Sequence, residues 1–362
     1  MLSDAAYMDR ALFHAGRARG CTTPNPMVGA VVVSADGVVV GTGFHEKAGE
    51  PHAEVHALRA AGVSARGATL YCTLEPCCHH GRTPPCVDAI TAAGITRVVV
   101  AVEDPNPRVS GGGARLLRDR GVRVEVGLRR DEAVRLNRAF FSAMQRGRPW
   151  VIAKIATSLD GYVTSGIGQH TALTSTEANR QSQQLRAEVD AIAVGSETLL
   201  VDDPRLTVHG VYRHRPFARV VFDRRLRTPI HARVLQSLAS GPVLVVTTER
   251  QIAARPDEAR ALEHAGATLV ALPADDLGTA LAALLRFDIQ SVLLEGGPAV
   301  HRAAWEAGCV DSVRVIVTPR TLGPAGVPWM SAAQLSLAAL GGLRIEPCGP
   351  DVVIEGDVHR TG

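Results

Sequence analysis

His52, Glu54, Cys77 and Cys86 fall within the first quarter of the chain, and Cys78, His79 and His80 crowd beside Cys77. Imidazole and thiolate are ligands that zinc prefers, and three of them leave a tetrahedral position for water. A carboxylate near that water but off the metal can take its proton and pass it on. This is the chemistry of hydrolytic removal of an amino group from a heteroaromatic ring. A structural zinc site would close its fourth position with another Cys or His, and would have no use for an acid two residues from a ligand. His52 and Cys77 therefore read as ligands and Glu54 as the proton carrier. Spacing alone leaves Cys78, His79, His80 and Cys86 in contention for the third ligand, with the usual deaminase spacing selecting His80.

These residues need elements to position them. Apolar periodicity predicts a helix over 5–19, strands at 27–33 and 38–40 around the turn Ala35-Asp36-Gly37, and an Ala-rich helix beginning near His52. A strand at 68–73, a helix at about 84–93, a strand at 97–102, a helix after Gly113, a strand at 122–126 and a helix at about 131–145 follow. Arg146-Gly147-Arg148-Pro149 is a polar Gly/Pro stretch, which places a boundary between domains at 1–147 and 148–362. Beyond it come a strand at 150–155, a helix over 175–188, strands near 190–194, 218–223 and 242–247, and a helix near 276–286. The strand Ser291–Leu294 then runs through Glu295-Gly296-Gly297 into a helix after Pro298, a turn suited to holding a phosphate. Alternating strands and helices imply two α/β domains with mostly parallel sheets covered on both faces.

Composition narrows the partners. Of 362 residues 46% are hydrophobic and 21% charged, with a formal net charge of +3. That is too mild a charge for a nucleic-acid or anionic-membrane surface, and aromatics at 4% are too few for a base-stacking channel. A small-molecule substrate is expected. Seven cysteines, an odd number with two adjacent, suit metal binding better than a disulfide framework. Cys21, Cys72, Cys309 and Cys348 are expected as small buried hydrophobes. The opening Met1-Leu2-Ser3-Asp4 has no leader-like pattern and no apolar run approaches membrane length, so the expected location is cytoplasmic, with no membrane partner.

His52-Ala53-Glu54, Thr73-Leu74-Glu75-Pro76-Cys77 and Gly81-Arg82-Thr83-Pro84-Pro85-Cys86 together resemble the bifunctional deaminase/reductase family of riboflavin biosynthesis. The resemblance implies zinc ligands His52, Cys77 and Cys86, with Glu54 catalytic. Thr23-Pro24-Asn25-Pro26-Met27-Val28-Gly29, Gly43-Phe44-His45 and Asp104-Pro105-Asn106-Pro107 also match, which would set Asn25, His45 and Asn106 around the pyrimidine. The implied fold is α/β: an N-terminal cytidine-deaminase-like three-layer domain fused to a C-terminal dihydrofolate-reductase-like domain.

The resemblance continues through Lys154–Gly161, Val194-Gly195, Thr198, Asp202–Val208 and Glu295–Pro298, which look like the family's NADPH-dependent reductase. It implies that Ala156, Thr198, Asp202 and the run Gly297, Pro298, Ala299, Val300, His301, Arg302 and Ala303 hold the cofactor. Lys154, Arg186, Leu206 and Glu295 would face the substrate, with Arg186 as a guanidinium fork for a ribose phosphate. Two departures stand out. His170-Thr171-Ala172-Leu173-Thr174 lacks the aromatic residue usual at Ala172, and Thr207-Val208-His209 ends in His where Arg is common. An imidazole carries less charge than a guanidinium at neutral pH, so phosphate affinity should suffer unless Arg213 or Arg215 compensates.

The expected function is zinc-dependent deamination of 2,5-diamino-6-(ribosylamino)-4(3H)-pyrimidinone 5′-phosphate. NADPH-dependent reduction of 5-amino-6-(5-phosphoribosylamino)uracil to the ribitylamino product would follow. The alternative is a deaminase of another aminopyrimidine or purine with an altered or inactive reductase domain. A homo-oligomer is compatible with either.

Overall fold

The computed structural model describes residues 2–79, 84–106, 110–213, 215–330 and 340–358. The chain divides into two compact units, Met1–Gly147 and Arg148–Gly362. Among the described residues no helix is long and apolar enough to cross a membrane.

The first unit runs α1 (Asp4–Gly16), β1 (Gly29–Val33), β2 (Val39–Phe44), α2 (Ala53–Ala61), β3 (Thr69–Cys72), α3 (Cys86–Ala92), β4 (Arg97–Val100), α4 (Gly112–Asp119), β5 (Arg123–Val126), α5 (Arg130–Leu136) and α6 (Arg138–Arg146). Its five strands lie in the order β2-β1-β3-β4-β5. The sheet is mixed: β1 is antiparallel to both β2 and β3, and only β3, β4 and β5 run parallel. The hairpin at the Asp36-Gly37 turn forces β1 and β2 antiparallel, because so short a connection cannot cross over, and the longer connection through α2 returns β3 antiparallel to β1.

Glycines on β1 and β2 let helices lie directly on the sheet. A Cβ on Gly41 would sit 2.2 Å from the Ala57 carbonyl oxygen, and one on Gly43 would sit 2.4 Å from that of Ala53. The start of α2, with His52 and Glu54, is thus pressed against β2. The single helix expected over 131–145 is two helices broken at Asn137, whose backbone leaves helical values (φ −105°, ψ 21°). Its buried amide accepts from the Met27 N–H at 2.7 Å and donates to the Met27 carbonyl at 2.8 Å. A side chain that satisfies another segment's backbone outweighs helical continuity here.

The second unit runs β6 (Trp150–Thr157), β7 (Tyr162–Thr164), α7 (Thr176–Glu188), β8 (Ala191–Gly195), α8 (Ser196–Asp202), β9 (Ala218–Phe222), β10 (Val243–Thr248), α9 (Glu249–Ala254), α10 (Pro256–His264), β11 (Ala267–Leu272), α11 (Leu277–Leu284), β12 (Ser291–Leu294), α12 (Pro298–Glu306), β13 (Ser312–Val317), β14 (Val327–Pro328), β15 (Gly341–Cys348) and β16 (Asp351–Asp357). Nine of the strands form one sheet, β11-β10-β9-β8-β12-β6-β13-β16-β15, with β7 and β14 paired separately. From β11 to β13 the sheet is parallel, and β16 and β15 close it antiparallel. Alternate residues of the central strands feed two cores. Ala191, Ala193, Val292 and Leu294 enter one, while Ile192, Val194 and Leu293 enter the other. Burial on both faces is why these strands read as unbroken apolar runs.

Candidate functional sites

In the first unit three segments converge. His52 is the N-cap of α2, Cys77 lies in the stretch after β3, and Cys86 opens α3. The His52 Nδ1 lies 3.1 Å from the Cys86 Sγ and 3.5 Å from the Cys77 Sγ, and one donor atom from each residue lies within 4.8 Å of the others. Zn–N and Zn–S bonds of about 2.0 and 2.3 Å at tetrahedral angles separate ligand atoms by roughly 3.5–3.8 Å, so this donor set fits zinc with little movement. Among the described residues only these three form such a group. Cys78 and His79 stay outside it, and His80, like the run Gly81–Thr83, lies outside the described residues.

Electrostatics prepares the donors. Hydrogen bonding from Cys86 and from His52 holds the Cys77 thiol well below the usual thiol range. The same thiolate, together with burial, pushes the Cys86 thiol up. The bond to Cys77 raises His52, with burial opposing. The Cys86 backbone N–H also donates to the Cys77 Sγ at 3.3 Å, a contact that favours thiolate. Glu54, 3% exposed in the first turn of α2, is pushed up by burial, as a group that must both accept and return a proton should be.

His52, Glu54 and Cys77 line a cavity of about 360 Å³ together with Asn25, His45 and Asn106. The three polar residues thus share one cavity with the ligand cluster. The His45 Nδ1 lies 3.2 Å from the Pro51 carbonyl, which requires a proton on that nitrogen. Nε2 then accepts from the Asn25 amide at 3.0 Å. Burial depresses the His45 pKa and favours this neutral form. Pro107, the last residue of the Asp104 motif, lies outside the described residues, and burial raises Asp104 in the same cavity to about 6.

Two organisers were not foreseen. Glu75, also buried, accepts from the backbone N–H groups of Asp104, Gly111 and Ala114 at 3.2, 2.9 and 3.0 Å, fixing the loop before α4 beside Pro76-Cys77. Asn137, through Met27, anchors the segment that carries Asn25. Glu75 lay within a recognisable motif, whereas Asn137 gave no signal in its helical pattern.

In the second unit Lys154 on β6, Glu295 just after β12 and Arg186 on α7 come together. Arg186 and Glu295 form an ion pair at 2.7 Å, and the Arg186 Nη1 donates to the Thr207 carbonyl at 3.0 Å. Arg186 is therefore a paired interior group and not a solvated surface charge. Burial pushes the Lys154 pKa down, with Glu295 opposing. Leu206 is buried at a left-handed φ of 51°, a conformation costly for a branched side chain.

The glycine turn forms as expected. Gly297 caps α12, its N–H donates to the Thr198 Oγ1 at 3.1 Å, and a Cβ on Gly296 would meet Val300 at 2.1 Å. Asp202 receives His170 at 3.0 Å, and Ala172 offers its carbonyl to Arg320 at 2.7 Å. The His301 side chain faces inward. Its Nε2 donates to the Leu294 carbonyl at 3.0 Å, and Trp329 Nε1 donates to its Nδ1 at 3.0 Å. Arg213 and Arg215 do not replace the charge missing at His209. Arg213 donates to the Arg186 and Ala187 carbonyls at the end of α7, and Arg215 pairs with Asp190. Of the cysteines, Cys72, Cys309 and Cys348 are buried, whereas Cys21 is half-buried at a turn.

Residues 1–102 match the cytidine and deoxycytidylate deaminase zinc-binding region, and residues 149–354 match the RibD C-terminal domain. The riboflavin biosynthesis protein RibD of Aquifex aeolicus is 40% identical over 357 residues, covering 97% of each chain. The chain belongs to the RibD family. The solved structure of Acinetobacter baumannii RibD superposes with a TM-score of 0.86 at 35% identity, covering 99% of each chain. A Thermotoga maritima diaminohydroxyphosphoribosylaminopyrimidine deaminase/5-amino-6-(5-phosphoribosylamino)uracil reductase gives 0.83 at 31% identity, covering 98% of each. As a RibD-family enzyme of riboflavin biosynthesis, this chain joins a zinc-dependent, cytidine-deaminase-like domain to an NADPH-dependent, dihydrofolate-reductase-like domain.

Proposed function

We propose that His52, Cys77 and Cys86 hold the zinc and that Glu54 is the proton carrier of the deaminase. The substrate is 2,5-diamino-6-(ribosylamino)-4(3H)-pyrimidinone 5′-phosphate. The observation that carries this reading is the convergence of the three donor atoms, with His52 and Cys77 lining one cavity together with the buried Glu54 carboxylate. Zinc, when bound, supplies the polarisation that makes water nucleophilic at neutral pH. Glu54 takes a proton from the water as oxygen adds to the ring carbon bearing the 2-amino group. It gives that proton to the ring nitrogen, then carries the proton of the added hydroxyl to the amine, so that ammonia departs as the C–N bond breaks and a carbonyl remains. Asn25, His45 and Asn106 orient the pyrimidine, with the Pro51 contact keeping His45 in one tautomer.

The product is 5-amino-6-(5-phosphoribosylamino)uracil, the substrate of the second unit. NADPH, when bound, would supply the hydride that reduces C1′ of the opened ribosyl group. Ala156, Thr198, Asp202 and Gly297–Ala303 hold the cofactor, His301 contributing through its backbone. Lys154, Glu295, Arg186 and Leu206 hold the sugar phosphate, and the depressed Lys154 can deliver the balancing proton to the imine nitrogen. Purified protein incubated with the diaminopyrimidinone should release ammonia without NADPH, and should oxidise NADPH only after that release. Ammonia release with no NADPH oxidation would favour a deaminase carrying an inactive reductase.

A further inference from the structure

Beside the Arg186–Glu295 pair, a recess of about 200 Å³ is lined by Arg186, Arg205, Leu206, Thr207, His209 and Arg233, with Pro204 at its edge. We infer that Arg205 and Arg233 bind the 5′-phosphate of the reductase substrate, supplying the charge that His209 does not. The inference rests on the reductase reading above and adds two residues to it. Both arginines are exposed, and neither guanidinium has a hydrogen-bond or ion-pair partner among the described residues. The His209 imidazole is engaged by the Thr207 hydroxyl at 2.8 Å, and Arg186 is committed to Glu295 and the Thr207 carbonyl.

The two arginines stand on fixed backbone. Arg205 precedes the buried, left-handed Leu206, and Arg233 lies between the buried Ala232 and Val234. Leu206, Ala232 and Val234 belong to one hydrophobic core. The Asp203 carboxylate is spent on the Arg233 backbone N–H at 2.8 Å. Two guanidiniums on a rigid rim beside a third cation make a preformed acceptor for a dianionic phosphomonoester. Because Arg186 both lines this recess and pairs with Glu295, a phosphate held here keeps its sugar beside that pair.

The test uses the intact chain with ribose 5-phosphate and ribose as calorimetric probes. The wild type should prefer ribose 5-phosphate, and Arg205→Ala/Arg233→Ala should lose that preference. In turnover the double variant should raise KM for the phosphoribosyl substrate by about tenfold or more, exceeding its effect on kcat. NADPH affinity and ammonia release should match wild type. Equal binding of ribose and ribose 5-phosphate by the wild type, or an undiminished preference in the double variant, would overturn the inference. So would a loss of NADPH affinity in its place, since the recess would then serve the cofactor's own phosphate. Failure of NADPH oxidation with the ribose 5-phosphate preference intact would break the reductase reading and leave the recess standing.

Discussion

The two sites are built on opposite plans. In the first unit donor atoms from three nearby segments lie within 4.8 Å of one another, with a buried acid two residues from His52, all of it within residues 52–86. In the second, Lys154, Arg186 and Glu295 arrive from a strand, a helix and a turn spread over more than a hundred residues, and Arg186 and Glu295 form an ion pair. A metal demands a fixed set of ligand types, so its site shows in the sequence as spacing. The proposed cofactor and substrate residues of the second unit are a glycine turn and isolated charges, which carry no such spacing.

Glu54→Gln should lower deamination by about 10³-fold while zinc content and folding stability hold. The lost carboxylate is one that burial already disfavours as an anion. Glu295→Ala should behave differently, costing about 3 kcal/mol of stability in denaturant titration, because Arg186 would keep its charge without its counterion. If both variants were equally stable, the contrast between the sites would fail. Gly43→Ala should cost about 2 kcal/mol and weaken zinc binding. Its Cβ would meet the α2 backbone at 2.4 Å and shift His52 and Glu54 together. Zinc affinity and melting temperature measured on that variant check whether strand–helix contact sets the first site.

The smallest effect concerns acid. Burial depresses His301 to about 4, below its unfolded value near 6.5, so the folded state resists the proton that the unfolded state accepts. Stability is complete above pH 6.5 and is lost as pH falls from there toward 4, by about 2 kcal/mol between pH 7 and pH 5. His301→Gln should remove that slope from the second unit's unfolding curve.

Much of this was legible from residue types. The Asp36-Gly37 turn, the Ala-rich helix after His52, the strand at Ser291–Leu294 and the Gly296-Gly297 turn all form where local pattern puts them. The third zinc ligand was not settled by spacing, since Cys78, His79 and His80 are chemically equivalent candidates. The Gly81–Cys86 resemblance pointed to Cys86, and the fold brings its Sγ to 3.1 Å from the His52 imidazole. The break at Asn137 and the loop tie at Glu75 were hidden because both serve backbone groups distant in sequence. The strands at 267–272, 312–317 and 341–357 escaped notice as well, and the last of these pair antiparallel at a sheet edge with polar residues interleaved. Arg205 and Arg233 look like ordinary surface charges until the chain places them on one rim.

The independence of the two sites is tested most directly by stripping zinc from the intact chain with a chelator and assaying each half-reaction on its own substrate. Ammonia release should vanish and return on adding zinc. NADPH oxidation with 5-amino-6-(5-phosphoribosylamino)uracil should persist throughout. Deamination that survives chelation, or reduction that disappears with it, would contradict the account.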